Sequence, residues 1–117
     1  MSTLSDRCIQ ECSACAPACA RCADHCIRAG NAEFLECVRL CLDCIEFCQA
    51  CVPLLARDSR FAAAQCEVCA RVCDVCATEC ERHVGHAAIL RECAEHCRRC
   101  AGVCREFSGS TPSVRAA

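Results

Sequence analysis

The sequence predicts an all-α protein, an up-down-up-down antiparallel four-helix bundle with a cysteine-lined core. Of the 117 residues, 20 are cysteine. Within four separate runs they recur at alternating intervals of four and three. A mean spacing of about 3.5 is the heptad seam of a packed helix, with thiols where Leu and Ile normally occupy positions a and d. The breaks between the runs are short, which places successive helices side by side and antiparallel.

The first run is Cys8, Cys12, Cys15, Cys19, Cys22 and Cys26. Its helix is expected over about 6–29, with Ser2 or Ser5 as cap and Gly30 as stop. Pro17 lies inside it and removes one backbone hydrogen bond, but the cysteine phase continues unchanged, which favours one bent helix over two. The second run, Cys37, Cys41, Cys44, Cys48 and Cys51, predicts a helix over about 32–52, capped by Asn31 and bent or ended by Pro53. Cys66, Cys69, Cys73, Cys76 and Cys80 place the third over about 59–83, with Asp58 or Ser59 as cap. Val84 and Gly85 make a tight connection to the fourth, about 86–107, which carries Cys93, Cys97, Cys100 and Cys104. The bundle thus occupies about 1–107, and 108–117, SGSTPSVRAA, reads as a small polar disordered tail.

The chain is 12.6 kDa with a formal net charge of -2. That size suits one domain, and the apolar fraction of 55% suffices for a core only if cysteine counts as apolar. All 13 basic residues are Arg and are scattered, so no nucleic-acid footprint is present. No apolar run approaches the roughly 18–20 residues that span a bilayer. Met1 to Glu11 has neither a basic n-region nor an apolar h-region, so the expected compartment is the cytoplasm, where thiols stay reduced. The pairs Asp24/Arg28, Glu67/Arg71 and Glu95/Arg99 fall at i, i+4 on outward faces and read as solvated surface.

A CxxxC pair sets two sulfurs on one helical face, their Cβ atoms roughly 5–6 Å apart, so one ion fits between them. Eighteen cysteines form nine such pairs: 8/12, 15/19, 22/26, 37/41, 44/48, 69/73, 76/80, 93/97 and 100/104. Cys51 and Cys66 remain, facing each other across the second turn. Thiolate-only coordination suits Cu(I), zinc and iron–sulfur clusters. Zinc sites and clusters draw their ligands from irregular loops, whereas a helix-borne pair of sulfurs suits Cu(I), which accepts two nearly collinear ligands. As core residues alone, cysteines at every seam position forgo the area Leu would supply. Disulfides fit poorly, because same-helix Cβ vectors are badly directed and antiparallel axes stand about 8–10 Å apart.

Extending the seams distinguishes the two ends. Ala29, Phe34, His83, His86 and Leu90, with His25 beside Cys26, mark one end; Ser5, Leu55, Ala62 and Phe107, with Leu54 and Phe61 near, mark the other. Copper is expected to enter at the His83/His86 end, imidazole serving as a transient ligand, with the other end closed by apolar side chains. His83 and His86 also suit an ordinary helix end, where the dipole favours them. His96 reads as surface or interface, and Met1 is the single methionine. Helix 2 bears a second apolar stripe, Leu35, Val38, Leu42 and Ile45, with Leu40 and Phe47 adding to its outer face. A small protein with such a patch is expected to self-associate.

The ladders of CxxxC from Cys8 to Cys104 resemble those of the four-helix-bundle copper storage proteins of bacteria. That resemblance implies a homotetramer of bundles, reduced cysteines, and many Cu(I) ions held largely by bis-thiolate CxxxC sites, up to about one per thiol where sulfurs bridge metals. One branch of that family is exported and has methionines at the bundle mouth; the other is cytosolic and has histidines. With His83 and His86 and no leader, the chain is similar to the cytosolic branch. The implied role is non-catalytic Cu(I) storage and sequestration, with copper exchanged with a chaperone or chelator. Two other readings stand beside it. A thiol redox protein needs an exposed thiol activated by a nearby cation, and a zinc or cadmium buffer of metallothionein type would share the sites but not the metal.

Overall fold

In the computed structural model, which describes residues 3–110, α1 runs Leu4–Ala29. Its cap is Thr3, not either expected serine: the Thr3 hydroxyl accepts from the Asp6 amide at 3.0 Å, and the Asp6 carboxylate accepts from the Thr3 amide. This reciprocal box satisfies two amides that a helix start otherwise leaves unpaired. The helix continues through Pro17 and ends at Gly30, whose φ of 67° lies in the left-handed region that glycine enters without a Cβ penalty.

Asn31 caps a 3-10 turn, Ala32–Phe34, its side chain accepting from Glu33 at 2.9 Å. α2 follows over Leu35–Ala56 and passes beyond Pro53, where an end or bend was expected. A proline removes only the bond from its own nitrogen, and the turn beyond it is held by buried Leu55 and by the Ser59 amide on the Leu54 carbonyl at 2.9 Å. The next connection is longer than the spacing suggests. Asp58 takes a φ of 52°, Ser59 Oγ accepts from the Phe61 amide at 3.1 Å, and α3 begins only at Ala62.

α3 closes at Glu81, so His83 lies in the connection and not in the helix. The His86 amide bonds the His83 carbonyl at 2.9 Å, closing a turn around the expected connection of Val84 and Gly85 that also takes in both histidines, and α4 spans Ala88–Ser110. That helix takes in Ser108, Gly109 and Ser110, three residues of the expected tail. Ser108 and Ser110 hydroxyls donate to the carbonyls of Arg105 and Phe107, which lets polar residues finish the helix. The rest of that tail, 111–117, lies outside the described residues. No helix among the described residues is long and apolar enough to cross a membrane.

Each helix packs against its two neighbours around a ring, α1 on α2 and α4, α3 on α2 and α4. Alanines make this closeness feasible. Ala16 and Ala23 on α1, Ala63, Ala70 and Ala77 on α3, and Ala94 and Ala101 on α4 are buried at heptad spacing beside the cysteines. A methyl at the contact brings axes to the short end of the 8–10 Å range, which draws the sulfurs of four helices to a common axis. Outside, Arg98 bridges α4 to Asp74 at 3.0 Å and Glu81 at 2.7 Å on α3, Arg105 also reaches Asp74, and Arg7 ties α1 to Glu106 at 3.2 Å. Asp24 and Arg28 pair at 2.9 Å as expected, whereas Arg99 turns to His96 at 3.1 Å and toward Glu11 on α1 instead of Glu95.

Candidate metal centre

All twenty cysteines are free, and all are buried. Nineteen are fully inaccessible and Cys26 is 2% exposed. Among the described residues no buried charged or polar residue interrupts them. Sulfur therefore fills the axis of the bundle.

The same-helix pairs are in place, with Cys15 and Cys19 at 4.0 Å and Cys44/Cys48, Cys69/Cys73 and Cys100/Cys104 each at 3.9 Å. Contacts between helices reach down to 3.5 Å. Cys8 and Cys12 meet Cys104 at 3.5 and 3.6 Å, Cys19 meets Cys93 and Cys97 at 3.7 Å, and Cys44 meets Cys73 at 3.5 Å. Cys37 meets Cys80 at 3.6 Å, Cys22 meets Cys37 at 4.0 Å, and Cys41 meets Cys76 at 3.8 Å. Contacts also cross the diagonal of the ring, Cys48 to Cys100 at 3.8 Å and Cys8 to Cys66 at 3.8 Å. Cys66, unpaired along the sequence, thus finds a partner on α1; Cys51 is buried near the same end.

Sulfurs gather in quartets whose members all lie within 4.8 Å of one another, among them Cys12/Cys69/Cys100/Cys104, Cys15/Cys44/Cys48/Cys73 and Cys19/Cys41/Cys76/Cys93. With a metal–thiolate bond of about 2.3 Å, the value for zinc, sulfurs around one ion stand about 3.8 Å apart if four, about 4.0 Å if three and about 4.6 Å if two. The core meets all three with small adjustments. Spacing along one helix reveals the CxxxC pairs, but the quartets need three or four helices in register. The alanine positions that set this register were the overlooked signal.

Each thiol must lose its proton to bind metal. Burial, and next the charge of Cys37, pushes the Cys26 thiol up to about 11. Deeper in, bonded thiols share protons. Cys80 is raised by its bonds to Cys22 and Cys37, while Cys37 is lowered by its bonds to Cys22 and Cys41.

At the end with the first and last connections, His25, Phe34, His83 and His86 form one cluster. Phe34 is buried and touches both histidines edge-on or tilted, at ring separations of 5.1 Å to His83 and 4.6 Å to His86; His25 and His86 stand 5.3 Å apart. His83 is held by Glu79 through Nε2 at 2.9 Å, and His25 Nε2 is buried without a hydrogen-bond partner. Leu90, near the start of α4, is fully buried, while His86 is exposed. His96 sits on the surface against Arg99. The opposite end has Leu55 and Ala62 buried, and Leu4, Leu54 and Phe107 pack against the core, while Phe61 is turned outward.

The family model described as copper storage protein matches residues 1–109. The chain belongs to the copper storage protein family. Comparison with curated proteins gave no match. Among solved structures, the copper storage protein of Streptomyces lividans loaded with 10 copper equivalents is 37% identical, at a TM-score of 0.88 over 92% of this chain and 86% of that one. The cytosolic copper storage protein of the same organism with five coppers is 37% identical, at a TM-score of 0.89 over 93% and 95%. The apo copper storage protein 3 of Bacillus subtilis is 33% identical, at a TM-score of 0.81 over 89% and 98%. This family membership, with the bundle just described, decides between soft metals that the sulfur spacing alone admits equally.

Proposed function

We propose that this copper storage family member holds many Cu(I) ions per chain on the thiolates of its core, as a non-catalytic store. The observation that carries this is the set of interlocking sulfur quartets in a core where, among the described residues, no polar residue other than cysteine is buried as a whole. All twenty cysteines are the proposed ligands, and bridging between quartets raises capacity toward one ion per thiol. His83 and His86, with His25 behind them, receive the ion at the mouth; imidazole is a ligand to copper. The thiol redox alternative is disfavoured because no thiol is exposed beside an activating cation.

The decisive experiment is an anaerobic titration of reduced apoprotein with Cu(I) against a competing chelator, with zinc in parallel. Tight uptake of many Cu(I) ions with weak zinc binding is expected. Saturation after a few ions, or a zinc preference, overturns the reading.

The setting follows from the same residues. Free thiols and histidine, not methionine, at the mouth support work in the cytoplasm, with copper exchanged with a chaperone or small chelator. A homotetramer is supported by the apolar surface near the mouth, where Ile27, Leu35 and Leu42 are 61%, 63% and 50% exposed and Ile27, Leu35 and Val38 line one groove. Sedimentation of wild type against Leu42→Arg checks this, the variant being expected to run as a smaller species.

A further inference from the structure

Ala29, Phe34, His83 and Leu90 each stand three residues beyond the last cysteine of their run, which is Cys26, Cys37, Cys80 and Cys93 in turn. A step of three keeps to the heptad seam, so these positions make up the layer next to the outermost sulfurs. Phe34 and Leu90 are 3% and 0% exposed and join the same buried cluster as the cysteines. Below that layer Cys26 is 2% exposed, and Cys37, Cys80 and Cys93 are wholly buried. The end that carries the histidines is therefore shut, as the opposite end is.

What sets the histidine end apart is that its plug rests on metal ligands. The Phe34 ring meets the His86 ring at 4.6 Å and the His83 ring at 5.1 Å, the second edge-on, separations at which aromatic pairs attract. His86 is exposed, and Glu79 holds His83 at 2.9 Å. Phe34 also stands on a short element, the 3-10 turn Ala32–Phe34, which follows Gly30 at a φ of 67°. Such turns have poorer hydrogen-bond geometry than an α-helix, so the backbone yields more easily there than within α2.

Resting on the Cu(I) reading above, we propose that Phe34 is the gate of the store: its ring bars the path from the histidines to Cys26 and Cys37 until copper draws an imidazole off it. An imidazole that turns its nitrogen to an arriving Cu(I) gives up its contact with the ring. The freed ring swings aside, a copper–nitrogen bond breaks as a copper–sulfur bond forms, and the displaced thiol proton goes to the released imidazole. No oxidation state changes. The histidines then settle on Phe34 again, and removal of copper runs the same steps in reverse. Phe34 has no ligand atom, so it sets the rate of passage in both directions and leaves affinity alone.

The test compares reduced full-length protein with Phe34→Ala and with Phe34→Leu, which keeps a larger apolar side chain in the core should the alanine variant fail to fold. Leu55→Ala, at the opposite end, controls for a bundle that is merely loosened. Loading from a Cu(I)–bicinchoninate complex and removal by excess bathocuproine disulfonate are followed anaerobically by absorbance. Both rates are expected to rise several-fold in the Phe34 variants and to stay near wild type in Leu55→Ala, with the number of ions and the affinity unchanged. Copper-free protein supplies a second arm, in which limiting iodoacetamide is applied and the alkylated cysteines are mapped by peptide mass. Cys26 and Cys37 should label several-fold faster in the Phe34 variants, and Cys8 and Cys104 at the far end no faster. Labelling or exchange rates unchanged, raised as much by Leu55→Ala, or raised in one direction only with a shift in affinity, overturn the gate. The labelling arm needs no copper, so a failure of the gate is told apart from a failure of the storage reading, which the titration reports.

Discussion

A single cysteine in this core serves more than one neighbour, and that sets what its loss does. Cys44 belongs to the quartet with Cys15, Cys19 and Cys97 and also to that with Cys15, Cys48 and Cys73. Cys44→Ser is therefore expected to lower Cu(I) saturation by more than one ion, counted by native mass spectrometry; a loss of one ion or none would show that the ions sit on isolated CxxxC pairs. Leu90 is the largest fully buried side chain among the described residues. Leu90→Ala should cost the apoprotein about 2–5 kcal/mol in urea unfolding, through lost transfer energy and the cavity left. The buried cysteine core was legible in the sequence because a thiol at every seam position has no packing rationale. The partners of each sulfur were not, since a contact such as Cys8 to Cys104 depends on how far two helices slide past each other. His25 was visible beside Cys26, but its buried, unpartnered Nε2 depends on the fold of the last connection.

At the scale of elements, the heptad phase located every helix, and the ends moved for local reasons. Thr3 outcompetes the serines because Asp6 stands three residues on and returns the bond. α2 outlasts Pro53 because Leu55 has a core to enter, and tertiary burial outweighs one absent hydrogen bond. The two ends of α1 can be tested apart. Thr3→Ala is expected to cost about 1 kcal/mol by removing the cap. Gly30→Ala meets no atom within 4 Å, so its cost is conformational alone, about 1–2 kcal/mol for a left-handed alanine. With 26 residues between caps, the sites are about 39 Å apart, and the double variant should lose the sum of the single effects in chemical denaturation. A smaller loss in the double would mean that α1 frays as a unit and is held by its thiols alone.

For the whole molecule, copper and protons compete for the same sulfurs, which gives the empty and loaded states opposite responses to pH. In the apoprotein Cys26 keeps its proton to about 11 against an ordinary 9.0. Between those values Cys26 binds its proton in the folded chain and not in the unfolded one, so its contribution to apo stability is full below the lower value and is lost as pH climbs through the window. In the loaded protein the thiols are already deprotonated, and acid returns protons that displace the metal. Its stability is therefore expected to fall as pH drops. Metal bound only by the folded state adds stability in proportion to the logarithm of its free concentration over Kd. A core built of cysteine instead of leucine has correspondingly little to hold it when empty. Melting curves across pH, with and without Cu(I), should show a large rise in Tm on loading and two slopes of opposite sign. Parallel slopes would mean that copper binds outside the thiol core, and an unchanged Tm would mean that the bundle is held by its alanine and leucine contacts without help from metal.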